Sequence, residues 1–565
     1  MSFVRLAITL AGTFLAGSML ATAACNTPPP SNAQSCQGRP GAEYCSCAAD
    51  GSCNAGLVCA TDLQQCVHLA GTPLPAATGG NPGAGGSTGN GGGTGNGGST
   101  GAGGNGTGGT HVTGTGATTG AGGNSSGGET GKGGGAGNAS AGSGGLARGP
   151  TPAANGTNFP FPQNRQTSNC IYPTAYDNKD VLTAYAKWKT DLVTSSGAGG
   201  FQRVQRTDSD GLGSPSGATP RYSTVSEGIG YGLVIAVYMG DQALFDNLWK
   251  YEQLHLDSNG LMNWSVDASG NTTSVNGNTI GGGAATDADE DMAWALVMAD
   301  KQWGGSGSLS KSYGALALQQ IQNVWNHEIY QSKLAGPGDG WGPTDLFGDI
   351  NISYFAPAYY RVFKQLDSSH AWEAVTQTVF DTIFGQMDDG SGALSSSNKN
   401  TSNGLVPAWC TGSGGASSAG PFNYQYDSCR TPFRIGIDWC FNGTSASTAM
   451  TPINPSRGKK YVGLTSAFFS GIGAANIVDG YNLDGTVNSG AHPVSEGQSA
   501  AFIGPAAVGA MSSPSYQSFL DASYKLVKGN NLLVGGAYYE ESWTVMSLLM
   551  MTGNFLDYTQ LTPAH

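Results

Sequence analysis

Ala285-Thr286-Asp287-Ala288-Asp289-Glu290-Asp291-Met292-Ala293-Trp294-Ala295-Leu296 sets four acids within five residues and then runs directly into an apolar stretch. The apolar run predicts a helix over 288–303. Acids at a helix start are ordinarily caps: Thr286 or Asp287 would be the N-cap, with Asp289 or Glu290 completing a capping box. A cap needs one or two acids, not four. Asp289 and Glu290 are therefore expected to do the structural work. Calcium is disfavoured, because an EF-hand loop needs a Gly after its third acid and this segment has none.

The same period recurs on both sides of this stretch. Further helices are predicted over 181–193, 227–239, 242–255, 308–328, 356–366, 371–386, 432–440, 461–472, 500–511, 515–528 and 542–551. Tyr313, Leu316, Leu318, Ile321 and Val324 illustrate the helical spacing of apolar residues, and Gly/Asn/Ser/Pro turns separate the segments. A dozen helices in about 400 residues predict an all-α unit of paired helices in a closed toroid or stacked array. No clear repeat of 30–50 residues supports a solenoid.

The organisation upstream is different. Of 91 Gly in 565 residues, 32 lie between 81 and 150, without the strict three-residue period of collagen. Residues 71–157 therefore read as a disordered linker with a root-mean-square span of roughly 45 Å. Residues 158–565 form the compact unit. Residues 1–24 read as an export signal, with Arg5 before a mostly apolar stretch and Ala21-Thr22-Ala23-Ala24 at its end. Residues 25–70 carry Cys25, Cys36, Cys45, Cys47, Cys53, Cys59 and Cys66. The last six suffice for three disulfides in a module too small for a real core, with fifteen pairings open. Cys25 is the odd one. Lipidation of a mature N-terminal Cys25 would account for it and would tether the protein to a membrane; ordinary cleavage leaving Cys25 in the mature chain is the alternative. The protein is thus expected to be exported, either secreted or held at the cell surface, and monomeric. The net charge of -13 disfavours nucleic acid as a partner.

Two Gly-x-Ser-x-Gly matches, at 85–89 and 97–101, lie in the linker without a flanking strand or helix, so they are products of composition. The seven His show no HExxH spacing. Neither a metal nor a cofactor is expected. The informative features are carboxylates beside aromatics and glycines. In Ser226-Glu227-Gly228-Ile229-Gly230-Tyr231-Gly232, an acid opens a helix rich in Gly, where another backbone or a ligand can approach closely. In Tyr424-Gln425-Tyr426-Asp427-Ser428-Cys429-Arg430-Thr431-Pro432, an Asp-Arg pair precedes a helix-starting Pro, and Arg430 would hold Asp427 ionised. Each acid taken singly fits a structural role, as a dipole partner or a loop ion pair. Two separated carboxylates in an aromatic cleft suit glycoside hydrolysis. Trp264 and Trp341 could stack on sugar faces, or simply pack in the core.

Together these residues resemble glycoside hydrolase family 8. The 285–303 segment is similar to that family's signature. Ser226–Gly232 resembles its general-acid segment, Asn351–Tyr360 its Tyr-Phe-Ala-Pro segment, and Tyr426–Arg434 its general-base segment. The likeness spans roughly 170–560. It implies an (α/α)6 barrel with an open cleft and an inverting mechanism. Glu227 would be the general acid, Asp427 the general base, and Asp287 the residue that holds the distorted sugar. Arg430 and Tyr354 would position Asp427 and its water, and Trp264 would be a stacking platform. Asp at 427 favours the branch with cellulases and some xylanases over chitosanases. Ile229 stands where Gln is common and Ala408 where Asp is frequent, which leaves subsite preference open. The implied activity is endo-hydrolysis of β-1,4-linked glucan, cellulose or mixed-linkage. An endo-β-1,4-xylanase is the alternative, and a non-catalytic carbohydrate-binding surface protein is a further one.

Overall fold

The computed structural model describes residues 58–60, 65–67, 156–207, 220–340, 348–387, 402–412, 415–417, 419–443, 455–488, 498–529 and 538–563. The signal, Cys25, most of the Cys-rich segment and nearly all of the linker lie outside the described residues. Within the Cys-rich segment, Val58–Ala60 and Gln65–Val67 pair as antiparallel strands with Cys59 opposite Cys66.

Twelve α-helices occur among the described residues of the compact unit. They are α1 (Asn178–Leu192), α2 (Ser226–Met239), α3 (Gln242–Glu252), α4 (Thr286–Gln302), α5 (Tyr313–Glu328), α6 (Pro357–Leu366), α7 (Trp372–Met387), α8 (Thr431–Asn442), α9 (Pro455–Ile472), α10 (Ala500–Ala510), α11 (Gln517–Lys528) and α12 (Tyr538–Met551). Each overlaps a helix predicted from periodicity.

Burial separates two classes. Helices α2, α4, α8, α10 and α12 are buried on nearly every side. By contrast, α1 buries only the stripe Val181, Ala184, Trp188 and Leu192, as expected for a helix with one face to solvent. Packing follows this division. Helix α2 packs on α4, α6 on α8, α8 on α10, α10 on α12, and α12 back on α2. Trp294 of α4 stacks on Tyr359 of α6 at 4.4 Å, which joins the remaining pair. Outside this ring α3 covers α2, α5 covers α4, α7 covers α6, α9 covers α8, α11 covers α10 and α1 covers α12. The order is consistent with an (α/α)6 barrel.

Two glycines of α2 explain its close packing. A Cβ on Gly230 would lie 3.1 Å from both Ala288 O and Asp291 Cβ of α4, and one on Gly232 would lie 2.8 Å from Leu248 of α3. The glycine density beside Glu227 therefore serves helix approach, and it brings the N-terminal ends of α2 and α4 together.

The expected cap of α4 is corrected. Its N-cap is Ala285, and no side chain caps it. The acids instead reach partners elsewhere in the fold. Asp289 accepts from Gln320 Nε2 at 2.9 Å, Glu290 from the Tyr360 hydroxyl at 2.5 Å, and Asp291 from both terminal nitrogens of Arg434 at 2.6 and 2.8 Å. Helix α5 begins at Tyr313 because Ser312 caps it, while Ser308 is held outside the helix by Asp246. Helices α9 and α12 begin earlier than predicted, at Pro455 and Tyr538. A disulfide joins Cys170, ahead of α1, to Cys440 in α8, and Cys410 and Cys429 are buried thiols. Among the described residues no helix is long and apolar enough to cross a membrane.

Candidate active site

The start of α2, the start of α4 and the turn before α8 meet at one pocket of about 220 Å³. Its lining includes Glu227, Asp287, Asp427, Arg430, Tyr354 and Trp264. Six of the seven residues expected at the site are thus brought together. The seventh, Trp341, lies outside the described residues. Trp409, Tyr538 and Arg206 also line the pocket and were not anticipated. Tyr538 sits at the start of α12, ahead of the predicted helix, and Arg206 gives no signal in the sequence. Trp409 ends the segment Gly404-Leu405-Val406-Pro407-Ala408-Trp409, where only its aromatic character could have pointed to it.

Arg430 organises the acids. Its side chain is 1% exposed. Nη1 donates to Glu227 Oε1 and, at 2.6 Å, to Asp287 Oδ2; Nη2 donates to Asp427 Oδ1 at 3.3 Å. The remaining donors are held by Ser353 Oγ, which accepts from Nε at 3.1 Å and from Nη2 at 2.8 Å. Ser353 is in turn fixed by Asn351 Oδ1 at 2.7 Å. The Tyr354 ring lies 5.0 Å from the guanidinium, a cation–π distance. A planar fork of five donors suits this many-partner role; a lysine could not fill it.

Each carboxylate has its own surroundings. Glu227 Oε1 accepts from the Tyr231 hydroxyl at 2.6 Å, and Oε2 from the Tyr538 hydroxyl at 2.7 Å. Burial raises the Tyr231 hydroxyl far above the ordinary tyrosine value, so it stays a donor. Asp427 Oδ2 accepts from Trp409 Nε1 at 3.1 Å and Gln425 Nε2 at 3.0 Å. Asp287 is buried, and its Oδ1 accepts from the Ala288 N–H at 2.9 Å. Burial is the largest influence on Asp287. It outweighs Arg430 and, with the negative charges of Glu227 and Asp291, pushes the carboxyl up to about 7. Trp264 is anchored by Nε1 donating to Ile280 O at 2.9 Å, with its ring partly open to the pocket. Among the described residues no group of three or more His, Cys, Asp or Glu side chains is placed to hold a metal ion.

Three carboxylates on separate chain segments, gathered by one buried guanidinium in a pocket with aromatic walls, can deliver and accept protons across a bound polar substrate. The sequence profile of the Glycosyl hydrolases family 8 matches residues 159–553, most of the chain and all of these residues. The chain belongs to glycosyl hydrolase family 8. It is 37% identical over 385 residues to Endoglucanase A of Acetivibrio thermocellus, covering 67% of this chain and 71% of that protein. It is 35% identical over 408 residues to Endoglucanase 2 of Ruminiclostridium josui, covering 70% and 77%. The apo structure of a β-1,3-1,4-glucanase from Paenibacillus sp. X4 superposes with a TM-score of 0.56 at 28% identity, over 70% of this chain and 98% of that one. Rex8A from Paenibacillus barcinonensis, solved with xylose, shares the fold at a TM-score of 0.50 and 18% identity, over 68% and 96%. Relative to the family 8 pattern, the departures Ile229 and Ala408 are both fully buried. Neither side chain lines the pocket.

Proposed function

We propose that this family 8 enzyme hydrolyses internal β-1,4 linkages of a glucan, cellulose or mixed-linkage, with inversion at the anomeric carbon. The observation that carries the reading is the convergence of Glu227 and Asp427 on different terminal nitrogens of Arg430, at opposite sides of one guanidinium. Glu227 is the general acid and protonates the leaving glycosidic oxygen as the bond to the anomeric carbon breaks. Asp427, whose side chain is 34% exposed and so open to water, takes a proton from the attacking water, whose oxygen bonds to that carbon. Asp287 holds the sugar at the cleavage point. With its carboxyl pushed up to about 7, it carries a proton for part of the neutral range and can donate to a sugar hydroxyl. Trp264 offers a stacking face.

The endoglucanase relatives at 35–37% identity support glucan over xylan, as does the greater likeness to the β-1,3-1,4-glucanase structure than to Rex8A. The export signal over 1–24 and a Cys25 tether belong to the same proposal, and the intact mass of the mature N-terminus tests them. For the activity, the test is reducing-end release from carboxymethylcellulose, lichenan, xylan and chitosan, with the first product followed by NMR. Release from carboxymethylcellulose or lichenan with an α anomer formed first is expected. A β anomer would exclude inversion, and activity confined to xylan would overturn the glucan assignment.

A further inference from the structure

Asp427 has two oxygens with unequal surroundings. An ionised carboxylate oxygen offers two in-plane acceptor positions. Oδ2 receives two donors, Trp409 Nε1 at 3.1 Å and Gln425 Nε2 at 3.0 Å. Among the described residues Oδ1 receives Arg430 Nη2 alone, at 3.3 Å. The donors therefore leave a free acceptor position on Oδ1.

Trp409 is held in place to do this. It starts a three-residue strand, Trp409–Thr411, that pairs antiparallel with Asp349–Asn351, and Asn351 stands opposite Trp409. Asn351 fixes Ser353, which fixes Arg430. One short ribbon thus sets both the Arg430 and the Trp409 contacts of Asp427. The five-membered ring of the indole lies against Gly420, where a Cβ would come within 2.6 Å of Trp409 Cγ and 2.8 Å of Nε1. The ring also lines the pocket and meets Tyr354 edge-on at 6.3 Å.

We infer that Trp409 is a positioning residue for water activation: its indole N–H, with Gln425, saturates Oδ2 of Asp427 and so assigns proton abstraction from the attacking water to Oδ1. The water proton passes to Oδ1, the water oxygen bonds to the anomeric carbon, and the leaving oxygen takes its proton from Glu227. This rests on the reading of Asp427 as the base.

The experiment uses the full chain with Trp409→Phe, which keeps a ring and removes the N–H, and Gly420→Ala, which keeps the indole and displaces it. Both are compared with Asp427→Ala on a soluble mixed-linkage glucan. For Trp409→Phe, kcat is expected to fall about tenfold or more with KM within about twofold, because the loss lies in the transition state. The acid limb of the pH–kcat profile moves to higher pH, since a donor to the ionised form is gone. Gly420→Ala does the same to a lesser degree. Sodium azide, a nucleophile that needs no deprotonation, is expected to restore turnover in Asp427→Ala, where the base carboxylate is gone, and to yield an α-glycosyl azide. A raised KM with unchanged kcat would overturn the inference and make Trp409 only a stacking surface, as would an acid limb that stays in place. If Asp427→Ala retains activity, the base assignment itself fails, independently of Trp409.

Discussion

Arg430 Nη1 meets Asp287 Oδ2 at 2.6 Å across 143 residues of chain, and the same nitrogen also bonds Glu227. A single donor group therefore fixes the distance between two of the three acids. Arg430→Lys would replace the planar fork with one ammonium and could not also reach Ser353 and Asp427. We expect kcat to fall by about 10²-fold or more, since small misplacements of reacting groups cost that much. Stability should fall as well, because one ammonium keeps the charge but cannot supply all of the donors that Glu227, Asp287, Asp427 and Ser353 now receive, which leaves buried acceptors unpaired. Steady-state kinetics and a thermal melt on the same variant check both; unchanged kcat would show that the clamp is not needed.

Glu227 and Asp427 should separate by leaving group. Glu227→Gln and Asp427→Asn should each lower turnover of polysaccharide by about 10²–10⁴-fold. On a cello-oligosaccharide with a 2,4-dinitrophenyl leaving group, protonation of that group is no longer required. Glu227→Gln should then recover much of its activity, while Asp427→Asn should not, because water must still be activated. Equal recovery of both, or of neither, would contradict the two roles.

Much of this was legible in the chain because it depends on local pattern. The twelve helices follow from apolar spacing, and α1 to α12 each overlap a predicted segment. The three acids stood out because Glu227 and Asp287 sit at helix starts and Asp427 in the turn before one, beside Gly, aromatic or Arg residues. The roles of Asp289, Glu290 and Asp291 were not legible. A capping box is a local rule, but their partners Gln320, Tyr360 and Arg434 lie 31, 70 and 143 residues away. Trp409 and Tyr538 were missed for the same reason, since each acts through a hydrogen bond to an acid far along the chain or across a turn.

Asp287 predicts a stability that depends on pH. Its folded-state value is about 7 against an ordinary 3.8, raised chiefly by burial. Between those values the folded protein holds a proton that the unfolded chain has released, so stability falls as pH rises through this window and levels off above it. Glu540, raised to about 7, and Glu252, raised to about 8, are buried too and act in the same direction. Asp287→Asn removes one of these ionisations. The variant should be nearly inactive yet melt about 2–4 °C higher than the wild type at pH 8. At pH 5 the difference should shrink. Calorimetry at the two pH values checks this, and a variant that melts lower at pH 8 would refute it.

Beneath the pocket, Asp291 and Arg434 form a two-point pair at 2.6 and 2.8 Å, with both side chains no more than 3% exposed. The pair joins α4 to α8, and the Arg434 guanidinium lies 5.2 Å from the Tyr359 ring of α6. Asp291→Ala would leave an uncompensated buried cation and should cost about 3–5 kcal/mol. Replacing both partners with apolar residues of similar size, Asp291→Leu with Arg434→Met, removes the two charges together and should restore most of that loss. Activity should recover only in part, because α4 and α8 carry Asp287 and follow Arg430, and the pair sets how the two helix starts face each other. Chemical denaturation of Asp291→Leu, Arg434→Met and the double variant gives the coupling directly. A double variant as unstable as the sum of the two single ones would mean that the pair acts only through shape.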